Sequence, residues 1–248
     1  MPKKQLFISD LHLQPERPDI FEGLLWFLDK VAQDATELYL LGDIFEYWIG
    51  DDAPLPGAEK LIAALQALQE HQNIAIFFQH GNRDFLVQTQ WLDQANIHLL
   101  PESYPLQLAN GQMALLMHGD QLCTEDTEYQ QFRSVVRDPS WQHAFLSKPL
   151  QERIAIAKSL RAESQSRGAE KAYSIMDVSP ETVRETFVSA DVDHLIHGHT
   201  HRPAHHPNQV KDGQGERWVL GDWDQAGWYL QADEQQLQLI RFEFPVSA

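Results

Sequence analysis

Five short apolar runs, each leading directly into residues able to bind a metal ion, constrain this chain more than any other feature. Leu6, Phe7 and Ile8 lead through Ser9 to Asp10 and His12. The run 38–41 leads to Gly42-Asp43, and the run 74–78 leads to Gly81-Asn82-Arg83-Asp84. The run 113–117 leads to His118-Gly119-Asp120, and 194–196 leads to Gly198-His199-Thr200-His201. Between the first two runs Ile20, Leu24, Leu28 and Val31 recur every three to four residues, the spacing of an amphipathic helix, and Leu61, Leu65 and Leu68 repeat the pattern in the next gap. Strand–helix–strand alternation predicts an α/β fold around a largely parallel sheet covered by helices. Ligands in open α/β sheets bind beyond the carboxyl ends of the strands. Asp10, His12, Asp43, Asn82, His118, His199 and His201 are therefore expected at one edge.

Those seven donors are oxygens and imidazoles without a thiolate. They are too many for one ion in a mixed N/O site and suit two five- or six-coordinate ions sharing a carboxylate. Asp10 and His12 are two residues apart, as are His199 and His201, so on extended backbone each pair points to one side. Glycines 42, 81 and 198 allow tight turns beside the site. Of the remaining histidines, His71, His80, His98, His143, His205 and His206 read as surface or capping residues, and His194 and His197 as residues of the strand itself.

From about residue 124 to 173 strand signals give way to helical spacing, through Phe132, Val135 and Val136, then Phe145, Leu146, Leu150, Ile154, Ala157 and Leu160. The chain reads as a single domain, 1–248, with this helical segment inserted. Ser179-Pro180-Glu181 then starts a helix that ends near Ala190, with Ser as cap and Pro in the first turn. The formal net charge is −17, yet residues 133–171 carry eight basic and four acidic side chains. So acidic a chain lacks the basic face that nucleic-acid binding needs. Its basic segment reads either as a solvated helical face or as a site for an anionic ligand. The single cysteine, Cys123, excludes a disulfide framework and fits a reducing compartment. The three apolar residues near the start are too few for a signal-peptide core, and no run approaches the roughly 18 apolar residues of a membrane span.

The order Asp-x-His, Gly-Asp, Gly-Asn-x-Asp, His-Gly and Gly-His-x-His resembles the calcineurin-like metallophosphoesterase superfamily along nearly the whole chain. The resemblance implies a four-layer α/β/β/α sandwich with a dinuclear site. Asp10, His12, Asp43 and His201 would hold one metal; Asp43 (bridging), Asn82, His118 and His199 would hold the other. A narrower resemblance rests on Phe45-Glu-Tyr-Trp-Ile-Gly-Asp-Asp52, Gly81-Asn-Arg-Asp-Phe-Leu86, Met117-His-Gly-Asp-Gln-Leu-Cys-Thr124, Ile175-Met-Asp-Val178 and Ile196-His-Gly-His-Thr-His-Arg-Pro203. These are similar to the UDP-2,3-diacylglucosamine diphosphatase family of lipid A biosynthesis.

That family implies two Mn²⁺ ions, hydrolysis of UDP-2,3-diacylglucosamine to UMP and lipid X, and a peripheral place at the cytoplasmic face of the inner membrane. It implies no nucleic acid and no obligate protein partner. The catalytic residues would be Asp43, Asn82, Arg83 and His118. Asn82, Arg83, Asp126, Ser164, Lys171 and His199 would contact substrate, with Arg161 nearby. At Gly168, where relatives often carry a polar side chain, this chain offers only backbone. The broad superfamily usually has His where Arg83 stands. An always-charged guanidinium suits a phosphate leaving group, which needs little protonation. Two alternatives stand beside this reading: a phosphodiesterase or nucleotide pyrophosphatase acting on soluble substrates, and a scaffold that keeps the fold without the metals.

Overall fold

The computed structural model describes residues 3–170, 177–210 and 213–245, with the side chains of 162–170 outside that description. Three strands build the centre of the first sheet: β1 (Gln5–Ile8), β2 (Glu37–Leu41) and β3 (Ala75–Gln79). They run parallel, with β4 (His98–Leu99) added parallel at one edge. The helices α1 (Pro18–Lys30) and α2 (Ala58–Gln72) form the crossovers. Beyond β3 lies the short α3 (Thr89–Leu92). The second sheet is centred on β6 (Met113–Met117), β7 (His194–His197) and β9 (Glu216–Val219), which are parallel, with β5 (Ser103–Gln107) and β8 (Ala204–His206) antiparallel at its edges. The last two strands, β10 (Gly227–Ala232) and β11 (Leu237–Phe242), return antiparallel to the first sheet beside β1.

Period-2 alternation explains the layering. On β1 to β3, Leu6, Ile8, Leu38, Leu40, Ile76 and Phe78 pack against Leu24, Phe27, Leu61 and Leu65 of the helices. The alternate residues Phe7, Tyr39 and Leu41 face the second sheet, where they meet Leu106, Leu116, Ile196 and Trp218. Phe7, Tyr39 and Phe77 stack across three neighbouring strands, with centroids 4.9 and 4.7 Å apart. On β6 the phase is the same: Ala114 and Leu116 point between the sheets, while Leu115 and Met117 pack outward on Val183 and Phe187 of α7 (Pro180–Ala190). Three apolar cores thus separate four layers, α/β/β/α. Strands buried on both faces read as continuous apolar runs, which is why they were visible in the sequence. Both sheets are parallel at their centres; the second has antiparallel edges, and the first has antiparallel β10 and β11 on one side and parallel β4 on the other. The edge strands β4, β5 and β8 gave little signal because they are short or exposed, and β5 contains Pro105.

Between β6 and α7 the described residues include three α-helices: α4 (Thr127–Val136), α5 (Pro139–Leu146) and α6 (Leu150–Glu170). Each short helix starts on a carboxylate cap. Asp126 accepts from Tyr129 N–H, and Asp138 accepts from Ser140 and Trp141 N–H. Ser179 caps α7 as its sequence predicts, and that helix ends at Ala190. Phe145 is buried in the first core, with Trp141, Leu146, Ile154 and Ala157 packed around it. Arg153 locks α6 to the body, donating to Ile49 O at 2.6 Å and Asp52 Oδ1 at 2.7 Å. Gly50 leaves the room this needs, since a Cβ there would collide with the Arg153 guanidinium. Asp51 ties the same loop to α3, accepting from Trp48 Nε1, Gln88 N–H and Trp91 N–H.

Candidate metal centre

All seven predicted donors gather at the carboxyl ends of β1, β2, β3, β6 and β7, and the loops that carry them are laced together. Asp10 N–H donates to Gly42 O, His12 N–H to Asp43 O, Gly198 N–H to His118 O, and Trp223 N–H to Asp10 O. Asp84 is wholly buried and joins two loops, accepting from Gly81 N–H and Ile44 N–H at 2.8 Å each. Gly81 and Gly198 lie so close to the Asp43 and Asp10 carboxylates that a side chain at either position would overlap them.

The local conformation differs from expectation in one respect. Asp10, His12, Asp43, His199 and His201 all have positive φ, between 49° and 68°. The pairs 10/12 and 199/201 are therefore not extended, and their convergence comes from left-handed turns rather than strand alternation. Nine described non-glycine residues have positive φ, and five of them are these donors. Such conformations persist only where surrounding contacts over-determine them, and they concentrate at functional sites.

The donor atoms form two groups of three. Asp10, His12 and His201 bring one ligand atom each to within 4.8 Å of one another, as do Asp10, Asp43 and His118. Asp43 Oδ2 lies 4.0 Å from His12 Nε2 and 3.7 Å from His118 Nε2, between the two sides. Asp10 is common to both groups. On the second side His118 Nδ1 is 2.9 Å from Leu41 O, to which it donates, leaving the Nε2 lone pair facing the site. That Nε2 is 2.9 Å from Asn82 Oδ1, and His199 Nδ1 is 2.8 Å from the same oxygen. On the first side His12 Nε2 and His201 Nε2 face each other at 3.2 Å. One proton satisfies only one such pair of lone pairs. A divalent cation satisfies such facing donors together, so these residues fit metal binding.

The electrostatics agree. Burial pushes the Asp10 carboxyl up, but His201, His118 and His12 around it hold it well below the usual carboxylate range. Burial opposes charge on His201, yet its hydrogen bond to Asp10 and that carboxylate's charge raise it to about 9. His118 is likewise raised, since Asp43, Asp10 and Asp120 outweigh its burial. Burial, followed by the charge of His118, lowers His199 to about 4, leaving a neutral imidazole. Burial and the neighbouring Asp43 charge raise Asp84 to about 6.

Arg83 stands at the rim. Its backbone N–H donates to Asp43 Oδ1 at 2.7 Å, while its guanidinium Nε is buried with no hydrogen-bond partner among the described residues. Asp84 is engaged by backbone N–H groups, so the simple pairing of Arg83 with its neighbour does not occur. Arg161 reaches the site from α6 and pairs with Glu46 at 2.6 Å. Asp126 serves as the cap of α4. Lys171 lies outside the described residues, as does the side chain of Ser164.

Four residues beyond the predicted set shape the site. Glu46 Oε2 is 2.8 Å from His12 Nδ1. Asp84 holds the two loops described above. Asp120 accepts from Tyr129 Oη and Arg133 Nε at 2.7 Å each, and Tyr129 stacks beside the His199 ring at 6.0 Å. Arg137, from the end of α4, donates to Gly81 O at 2.8 Å. The spacing held a signal for two of them: Asn82 and Asp84, and His118 and Asp120, are donor–carboxylate pairs two residues apart. Of the basic residues in 133–171, Arg133, Arg137, Arg153 and Arg161 bond to groups of the body, so the segment is not a free solvated face.

A model of the calcineurin-like phosphoesterase family matches residues 3–203. Among curated relatives, the UDP-2,3-diacylglucosamine hydrolase of Cellvibrio japonicus is 48% identical over 238 residues, covering 96% of this chain and 98% of the relative. The protein of that name from Pseudomonas putida is 47% identical over 240 residues, covering 96% and 99%. Its counterpart from Tolumonas auensis is 44% identical over 237 residues, covering 95% and 96%.

Proposed function

The chain belongs to the calcineurin-like phosphoesterase family, and from that premise we propose that it hydrolyses the pyrophosphate bond of UDP-2,3-diacylglucosamine, giving UMP and lipid X. The observation that carries this reading is the Arg83 guanidinium, with a buried, unpartnered Nε at the rim of a centre suited to two cations. A buried donor without a partner is costly, and a phosphate oxygen supplies one.

Asp10, His12, Asp43 and His201 would hold one Mn²⁺ and Asp43, Asn82, His118 and His199 the other; oxygen and imidazole donors without thiolate suit that ion. Two such ions, when bound, lower the pKa of a water between them and neutralise phosphoryl oxygens. Asp43 is aimed by the Arg83 N–H, so the group that holds the centre together and the group that grips phosphate are set by one turn. Leu41 O fixes the His118 ring so that Nε2 faces the centre. Arg83 carries no transferable proton at neutral pH. That suits departure of a sugar phosphate, a weak base, from the uridine-side phosphorus. Asn82 and His199 flank the attacked phosphate, while Asp126, Ser164 and Lys171 complete the substrate contacts.

The whole chain acts as one domain, with the helical segment from Thr127 to Glu170 as its lid; residues 171–173, where the sequence predicts the segment to end, lie outside the described residues. Phe132 and Val135 of α4 are exposed on one open face of the helix, beside Glu128 and Gln131. Apolar surface there suits acyl chains, each buried methylene contributing about 0.8 kcal/mol. No helix among the described residues is long and apolar enough to cross a membrane. The enzyme meets its lipid substrate peripherally, at the cytoplasmic face of the inner membrane, without an obligate protein partner.

Reaction in oxygen-18 water tests the proposal. Mass spectrometry should find the label in UMP and none in lipid X. Label in lipid X would reverse the attack, and turnover of simple nucleotide esters in preference to the diacylated substrate would replace the reading altogether.

A further inference from the structure

Glu46 is nearly buried, at 8% exposed, and the hydrolytic reading gives it no role. Its two oxygens face different ways. Oε2 lies 2.8 Å from His12 Nδ1, on the side of that ring away from the metal-facing Nε2. Oε1 lies 2.6 Å from Arg161 Nη2 and 3.9 Å from Arg83 Nη1. A single carboxylate therefore touches a metal donor and both described arginines of the proposed phosphate site. Arg83 keeps a buried unpartnered Nε, so Glu46 does not satisfy it fully. Arg161 is about one-third exposed and has room to exchange partners.

We infer that Glu46 is an internal stand-in for phosphate. It holds Arg161 and orients Arg83 while the site is free, and it yields them to the incoming phosphate while keeping its hold on His12. Glu46 is then a positioning residue that acts through the arginines and tunes how readily phosphate leaves. The geometry supports exchange rather than a permanent lock. The Arg133–Asp120 and Arg153–Asp52 bonds each include a nearly inaccessible group, Asp120 at 1% and Arg153 at 3%, whereas Arg161 is about one-third exposed at its bond to Glu46. Negative charge beside an anion-binding arginine weakens anion binding, so Glu46 lowers affinity for a phosphate group in exchange for turnover.

The identity of the lipid ligand rests on the proposed function, but the inference about Glu46 does not, so the test uses two probes. Glu46→Gln keeps the side-chain shape and an oxygen beside His12 Nδ1, and removes the charge that holds Arg161. Calorimetry of the Mn²⁺-loaded protein should show inorganic phosphate binding about three- to tenfold tighter in Glu46→Gln, in line with a partly exposed ion pair. Bound manganese should be unchanged. In an Arg161→Gln background the same substitution should give little gain, because the effect runs through that arginine. With substrate, kcat and KM should fall together as product release slows. A gain that persists without Arg161, unchanged or weaker phosphate binding, or loss of manganese from Glu46→Gln would each overturn the inference. Lipid X is the second probe. If it fails to bind while the phosphate cycle behaves as stated, the substrate assignment falls and the role of Glu46 stands.

Discussion

The five ligand loops and the helical segment between β6 and β7 are built on opposite principles. In the loops the backbone does the positioning: five donors are held in left-handed conformations, and glycines bring neighbouring loops into contact with the carboxylates. The donors then face one another as lone pairs awaiting cations. In the helical segment side chains do the positioning. Arg133 pairs with Asp120 and Glu102, Arg137 with Glu102 and Gly81 O, Arg153 with Asp52, and Arg161 with Glu46. A basic segment in an acidic chain is thus first a set of bolts, and among its described side chains Arg161 also faces the centre. The loops should tolerate almost no change in chemistry. The segment should tolerate change in proportion to how buried each bolt is.

The sharpest break is at Asp43. Asp43→Ala should lower turnover by at least about a thousandfold, since the proposed centre shares this ligand between its two sides, and metal analysis should find fewer ions per chain. Circular dichroism should be unchanged. Exhaustive chelation should give the same loss, with Mn²⁺ restoring activity best; full activity after chelation would separate the loops from the chemistry.

The next effect is on stability. Asp120→Asn leaves Arg133 short of its buried partner, and breaking such a pair costs about 3–5 kcal/mol. Urea unfolding should show it as a lower midpoint. The exposed side chains of α4 should behave differently. Phe132→Ser together with Val135→Ser should leave the midpoint unchanged and raise KM for the diacylated substrate about tenfold, on the scale of two or three methylenes. Equal effects on a deacylated analogue would show that this face does not meet acyl chains.

The smallest effect is a pH slope. Burial, followed by the Arg217 charge, lowers His197 to about 3, and its Nε2 is 3.2 Å from Arg217 Nη1. The folded state therefore binds fewer protons at His197 than the unfolded state does between about pH 6.5 and 3. This stabilisation is complete above about 6.5 and falls as pH drops, by at most about 1.4 kcal/mol per pH unit. His197→Gln should flatten the decline in stability between pH 7 and 5. An identical slope in the variant would mean that His197 is not the group responsible.

The same contrast explains what the sequence made legible. Metal donors follow directly from strand ends, so each fragment of the centre is contiguous, and the apolar runs of doubly buried strands announce where those fragments converge. Their left-handed turns were not legible, because Asp and His carry no such requirement on their own. The anchors were not legible either. Arg153 finds Asp52 at a separation of 101 residues, and Glu46 meets Arg161 from a different element, so neither pair has a local pattern. Asp84 and Asp120 lay in view within the motifs. Their work, holding backbone N–H groups and arginines, depends on a geometry that only the folded chain has.

Anomalous diffraction at the manganese edge, from crystals of the Mn²⁺-loaded protein, tests the central claim most directly. The account predicts two peaks per chain, one among Asp10, His12 and His201 and one among Asn82, His118 and His199, with Asp43 between them. A single peak, or peaks away from these side chains, would contradict the dinuclear centre on which the proposed chemistry depends.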